Sequence, residues 1–467
     1  MSYPLSRLFQ EPVPEHRAVP LQQERVNTMY HWLLRITAVM AAVLLWSSWV
    51  KMRHGDSLIR SFTLSLNLLS AGMAILTLCV LAWRIWMAYR YRAYAPVSDD
   101  DLPPITVIIP AYNEGSQILT TIRSVMTSHY PARKMRVICV DDGSTDDTYY
   151  WMVKAQKEYS NRLRVMRQPV NGGKRRALLA GFQHATGSVY VTIDSDSEVL
   201  PETLRHLVSP FVTDPRVGAV AGNVRVLNCH EGAIPSMMEV SFTMAFDFIR
   251  SGQSVYGGVY CTPGCLSAYR AQVVEEHLES WINQTFMGVP ATIGEDRALT
   301  NCVLRSGYRV VYQKDAVVKT KMPISFSGLR RMLLRWARSN VRESLVMAAF
   351  IFHPFRRNDT GGGWIRFFGS LQLFRLSVGE VLKLGLVTQL LVDPLPAAKA
   401  MILGCLFASL LPALVYQIRY RSWFGWQWAL PYSFFWLISL SWISTWGLLS
   451  ASRSHWLTRG QCRGHGT

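Results

Sequence analysis

Acids are scarce in this chain. Its 467 residues hold 31 Asp and Glu against 49 Lys and Arg, a formal charge of +18. Cysteine is thinly scattered as well. Cys79 and Cys405 fall in apolar runs, Cys139 in a β-rich run, and only Cys261 and Cys265 are close neighbours. That spacing excludes a disulfide framework and a tetrahedral zinc site, and it fits a reducing compartment. No internal repeat or low-complexity segment is present, so a repeat array or a disordered tract is excluded too.

Apolar residues, by contrast, make up 49% of the chain. Many are gathered in runs near the roughly 20 residues that cross a bilayer. His31–Val50 and Phe62–Ile85 come first; Leu376–Val392, Ala397–Ile418 and Leu430–Ser450 follow late in the sequence. Five such runs predict a polytopic membrane protein. About thirty mostly polar residues precede the first run, which is not the pattern of a cleavable leader. Positive charge gathers after the second run and around residues 305–375, as expected for a cytoplasmic face on anionic lipid. Arg7, Arg17 and Arg25 favour a cytoplasmic N-terminus, while Lys51, Arg53 and Arg60 between the first two runs pull the other way. The expectation is a multi-pass protein of the plasma (inner) membrane with its soluble part in the cytoplasm. The bilayer is its partner, and no nucleic acid is. The positive tail after 450 favours an even number of spans, with 421–450 crossing twice or a segment near 343–375 entering the membrane. Tryptophans near the runs, among them Trp46, Trp83, Trp86 and Trp436, read as interfacial belt residues.

Between the apolar ends, from about Leu102 to Lys321, β-rich runs alternate with helix-length segments: ITVIIP, MRVICVDD, SVYVTID, VGAVAGNVRV and YRVVYQ. This alternation predicts an α/β fold with a mainly parallel sheet, whose ligands bind at the carboxyl ends of the strands. The scarce acids collect there, with Asp141 and Asp142 closing one run and Asp194 and Asp196 another. In an extended VTIDSDSEVLP, Asp194, Asp196 and Glu198 share one face. Thr360–Gly363, TGGG, reads as a hinge or loop.

Each acidic motif has an ordinary reading by itself. Asp-Asp-Gly is a turn, Ser144 with Asp147 a capping box, and Asp-x-Asp a chance pair. At successive strand ends together they imply a cation. Mg²⁺ or Mn²⁺ takes hard oxygen ligands and bridges one or two carboxylates to substrate phosphates. NGGKRRA, Asn171–Ala177, puts Lys174, Arg175 and Arg176 at a helix start, where cations oppose the dipole unless an anion docks. In IGEDRALTNCVL, Asp296 opens a helix, either as a terminus acid or as a general base facing an acceptor hydroxyl. In LRRMLLRWARSNVRE, Leu329, Met332, Leu333 and Trp336 share one face. Arg331, Arg335, Arg338 and Arg342 form a stripe on the other, suited to anionic headgroups.

The ordered series IPAYNE, VDDGSTDDT, NGGKRRAL, DSD, GED and RW resembles the membrane-embedded processive family-2 glycosyltransferases. CTPGCLSAYR, GEDRALTNCVLRSGY and WLTRG resemble most the hyaluronan synthases and the nodulation-factor chitin-oligosaccharide synthases. The resemblance spans nearly the whole chain. It implies a GT-A domain using UDP-sugars, UDP-GlcNAc among them, with inversion at the anomeric carbon and a growing polysaccharide as acceptor. Carried across, Tyr112, Glu114 and Asp142 would hold the nucleotide, and Lys174 would approach it. Asp194 would contact donor sugar or ribose, Asp196 the metal, and Arg335 the diphosphate. Asp296 would be the catalytic base, and Trp336 would stack on the acceptor. Trp456, Thr458 and Arg459 would lie near the nucleotide. The family's Gln-x-x-Arg-Trp is here Met332-Leu333-Leu334-Arg335-Trp336, so an amide that would face the acceptor is replaced by a thioether. Leu457 stands where the C-terminal motif usually has glycine.

The implied domains are 1–95 (N-terminus and two spans), 96–321 (GT-A domain), 322–370 (amphipathic interface helices) and 371–467 (C-terminal spans and tail). Two competing functions are a transferase adding one sugar to a lipid and a catalytically silent nucleotide-sugar-binding subunit of an export complex.

Overall fold

The computed structural model describes residues 22–54, 60–356 and 361–453. Helices α1 (Gln23–His54) and α2 (Arg60–Arg90) lead into a sheet domain. There β1 (Ile105–Ala111), α3 (Gln117–Met126), β2 (Met135–Asp141), α4 (Thr148–Glu158), β3 (Leu163–Arg167), α5 (Lys174–Gln183) and β4 (Val189–Ile193) alternate. Then come β5 (Ser197–Val199), α6 (Thr203–Thr213), β6 (Val217–Val226) and α7 (Ala233–Thr243). A π-helical segment, Met244–Arg250, carries α7 into α8 (Ser251–Val255). β7 (Leu266–Arg270), α9 (Ala271–Ile282), a small hairpin β8 (Thr285–Phe286) and β9 (Val289–Pro290), α10 (Glu295–Arg305) and β10 (Arg309–Thr320) complete it. The chain closes with α11 (Phe326–Ile351), α12 (Gly361–Val392), α13 (Pro394–Tyr420), α14 (Phe424–Phe435), a second π segment (Trp436–Leu440) and α15 (Trp442–Leu449).

The eight-stranded sheet has the order β3-β2-β1-β4-β7-β6-β10-β5. The pairs β1/β2, β1/β4, β2/β3 and β6/β10 are parallel, as expected. β7 runs antiparallel to both neighbours, and β5 runs antiparallel to β10. All residues of β1 and β4 are buried, since helices cover both faces, and this is why these strands are apolar without alternation.

Three expectations need correction. Asp194 and Asp196 do not share a strand face, because β4 ends at Ile193 and DSD forms the turn into β5. The TGGG glycines 361–363 are not a hinge; they begin α12, where Gly361 and Gly362 pack inside. The arginine stripe of α11 does not lie on a surface. Arg338 and Arg342 are buried, the first donating to Ser450 Oγ and the second to Glu343, and only Arg331 is exposed. A helical wheel separates polar from apolar sides but does not say what covers the polar one; here it is more protein.

Among the described residues, two helices are long and apolar enough to cross a membrane, Gln23–Val50 and Pro394–Tyr420. Trp46 and Trp86 are exposed on their helices. Trp83 instead packs against Trp364, Phe368 and Tyr256. Arg7, Arg17 and the WLTRG motif, with Trp456, Leu457, Thr458 and Arg459, lie outside the described residues.

Candidate active site

At the carboxyl ends of β1, β2 and β4 opens a cavity of about 740 Å³. Every site residue expected from the sequence that lies among the described residues lines it: Tyr112, Glu114, Asp142, Lys174, Asp194, Asp196, Asp296, Arg335 and Trp336.

The floor comes from the strand ends. After β1, Asn113 takes a left-handed conformation (φ 53°), and its Oδ1 accepts from Thr145 N while its own N–H donates to Ser144 Oγ. The Glu114 N–H donates to Thr148 Oγ1, and the Glu114 carboxylate accepts from Ser195 Oγ at 2.7 Å. These bonds tie the loops after β1, β2 and β4 into one unit. They also occupy Ser144, so it does not form a capping box with Asp147; Asp147 accepts from Trp151 instead. Gly143 allows the Asp-Asp-Gly turn, since at φ 72° a Cβ would lie 2.7 Å from the Asn171 backbone.

Asp142 lies beside the NGGKRRA turn as an anion of the chain itself. Its two oxygens accept the Gly172 and Gly173 N–H groups at 2.9 and 2.8 Å. Burial pushes Asp142 up to about 6, against the pull of those donors, with Asp141 adding to the rise. The three basic residues that follow do not form a common patch awaiting phosphate. Lys174 binds Asp194 Oδ1 and Glu295 Oε1. Arg175 turns into the core, donating to Gln284 Oε1 and the Trp281 carbonyl. Only Arg176 is exposed. Burial drives Lys174 toward neutrality, but the two carboxylates outweigh it and its pKa is raised. The crowding of acids is therefore relieved in part by an ammonium of the chain itself.

The opposite wall is the start of α10. Gly294, at φ 72°, lets this helix press against α11, since a Cβ there would sit 2.4 Å from Ser339 Cβ. Two adjacent carboxyl groups then diverge. Burial would raise Glu295, but Lys174 beside it holds it well below the usual range. Burial, and the charge of Glu295, push Asp296 up. Asp296 Oδ1 accepts the Arg297 N–H at 2.8 Å, and Oδ2 accepts from the Cys261 thiol at 3.6 Å. Environments that push two carboxyl groups apart suit them to different work: Glu295 is held as an anion by Lys174, while Asp296 binds a proton more readily. The sequence reading named only Asp296 from GED. Cys261 and Glu295 were missed because their roles depend on folding β7's leading loop and α5 against α10.

For a metal, the donor set is narrow. Among the described residues no group of three His, Cys, Asp or Glu is placed to hold an ion. Asp196 lines the cavity and accepts from Ser197 and Thr320 hydroxyls at 3.4 and 3.3 Å, while Asp194 is engaged by Lys174. One or two hard oxygens fit an ion that takes the rest of its shell from phosphates. Arg335 and Trp336, half-buried on α11, face the cavity beside Met332, with the Phe242 ring 6.3 Å from that of Trp336.

Residues 103–339 match the family described as "Glycosyltransferase like family 2". The chain is 30% identical over 400 residues to an N-acetylglucosaminyltransferase of Rhizobium meliloti, covering 84% of this chain and 91% of that one. It is 31% identical over 283 residues to a hyaluronan synthase of Streptococcus pyogenes, spanning 59% of this chain and 65% of the synthase. Its fold is similar to that of a mannosyltransferase of Pyrobaculum calidifontis solved with GDP-Man and Mn²⁺, with TM-score 0.51, 22% identity, and 78% of this chain covered. The sheet is GT-A-like.

Proposed function

The chain belongs to glycosyltransferase family 2 and is a sugar-transferring enzyme; from that premise we propose that it polymerises UDP-sugars, UDP-GlcNAc among them, into an exported β-linked polysaccharide with inversion at the anomeric carbon. One observation carries this reading: the acids at the ends of β2 and β4, the Asp296 base and the Arg335–Trp336 pair line a single cavity. Tyr112, Glu114 and Asp142 take the nucleotide, Asp194 the donor's ribose or sugar, and Arg335 the diphosphate. Lys174 sets a positive charge between the donor acids and α10. Asp296 accepts the proton of the attacking hydroxyl, and Trp336 stacks on the acceptor ring. Mg²⁺ or Mn²⁺, held by Asp196, would offset charge on the departing UDP. In this reading the site faces the cytoplasm in a multi-pass inner-membrane protein, with polymer leaving across the bilayer; the two helices long and apolar enough to cross a membrane, Gln23–Val50 and Pro394–Tyr420, support it.

The test is UDP release by purified protein in defined UDP-sugar mixtures, with mass spectrometry of the product. Asp196→Ala should abolish divalent-dependent release, and release surviving in that variant would remove Asp196 from metal binding. Met332 on the cavity wall favours one competing reading, a single addition to a lipid acceptor; a product carrying one sugar, with no polymer, would select it.

Asp142 supplies a pH dependence. Its carboxylate form accepts both Gly172 and Gly173 donors, and protonation removes one acceptor. With its pKa at about 6, donor affinity should be constant above neutrality and fall as pH drops through about 6. Titrating UDP binding between roughly pH 5 and 8 checks this; a flat profile would separate Asp142 from the nucleotide.

A further inference from the structure

Lys174 and Asp296 stand at the starts of two helices, α5 and α10, and Arg335 and Trp336 lie on a third, α11. One buried carboxylate connects all three. Glu343 of α11 is 4% exposed and its neighbour Arg342 is 1% exposed. Glu343 Oε1 accepts from Arg342 Nε at 2.8 Å and from Gln284 Nε2 at 3.0 Å, and Oε2 accepts from Asn301 Nδ2 of α10 at 2.9 Å. Gln284 Oε1 in turn accepts from Arg175, the residue after Lys174, at 3.2 Å. Arg342 also donates to the Ile293 carbonyl, three residues before Asp296. With Gly294 pressed on Ser339, that bond pins the turn carrying Glu295 and Asp296.

We infer that Arg342 and Glu343 are positioning residues for sugar transfer, holding the base-bearing turn of α10 and the Lys174 helix in register with Arg335 and Trp336. The inference rests on the transfer reading above. Its physical content is that a displacement of about 1 Å at a reacting group can cost about 10²-fold in rate. A buried carboxylate whose two oxygens accept three side-chain donors from separate elements favours one such arrangement.

Arg342→Lys separates positioning from mere core packing. A lysine keeps the charge opposite Glu343, but one ammonium on a flexible stem cannot reproduce the guanidinium fork that serves both Glu343 and Ile293. In the full-length protein, kcat should fall about 10- to 100-fold while the donor KM stays within about twofold. Amide exchange at residues 293–299 should speed up, with β1 and β2 unchanged. Glu343→Gln, which keeps shape and removes charge, should give the same pattern. Wild-type exchange at 293–299 in both variants would overturn the inference, as would a parallel loss of kcat, donor affinity and protection throughout the sheet. The exchange measurement needs no substrate, so its outcome is independent of whether the wild type releases UDP.

Discussion

Asp296→Asn should lower kcat by about 10²–10⁴-fold, the usual worth of general-base help, and leave donor binding intact. The side chain sits in the first turn of α10, held by the Arg297 N–H and the Cys261 thiol. An amide oxygen can still accept the Arg297 N–H, so the substitution preserves local structure while removing the base. Because burial and Glu295 raise Asp296, the acid limb of the wild-type kcat profile should be displaced upward from the usual aspartate position. In the proposed role the carboxylate is the active form, so activity should be lost as pH falls through that raised value. In Asp296→Asn the limb should vanish from the residual rate. Loss of UDP-sugar binding in this variant would show a structural role instead.

Lys174→Met should have the largest effect on stability. Lys174 is the shared counter-charge of Asp194 and Glu295, and Glu295 is 6% exposed. Removing one partner of a buried ion pair costs about 3–5 kcal/mol, because the carboxylates remain without compensation. For a domain of this size that is a drop of order 10 °C in Tm. The pH dependence follows from the depressed Glu295. In the wild type its stabilisation is complete above the unfolded value of 4.5 and disappears as pH falls toward about 2. The variant lacks this stabilisation, and its buried Glu295 regains favourable conditions when protonated. The gap in Tm should therefore be widest near neutrality and narrow on acidification. A gap independent of pH would mean that lost packing, and not charge, governs the effect. Activity should fall together with stability, since the DSD turn and the start of α10 lose the bridge between them.

Much of the sheet was legible because β1, β2, β4 and β6 are largely apolar runs, the pattern of parallel strands buried on both faces, and β2 and β4 close on acids. β7 was not, although its residues carried part of the family resemblance. Leu266–Arg270 is short, with no β-branched residue, and it becomes a strand by pairing with β4 on one side and β6 on the other. The acidic site was legible for a related reason: in a chain of +18 formal charge, clustered carboxylates at strand ends stand out. Their counter-charge was legible only in part: Lys174 does answer Asp194 and Glu295, whereas Arg175 and Arg176 do not. NGGKRRA looked like a basic patch because spacing along a helix is visible in sequence, whereas the separate destinations of Lys174, Arg175 and Arg176 are not.

Composition and local pattern decided which segments are apolar columns, which residues end strands, and which acids could share a site, since each depends on neighbours within a few positions. Tertiary contact alone decided which charges answer which. Arg342 reads as a headgroup-facing cation on a wheel and is instead closed over by Glu343 and the Ile293 carbonyl. Glu295 and Asp296 are adjacent and nearly alike as residues, yet one lies against an ammonium and the other against a thiol. Coulomb energy and desolvation depend on distance and burial through space, so two neighbours in sequence end with opposite protonation behaviour.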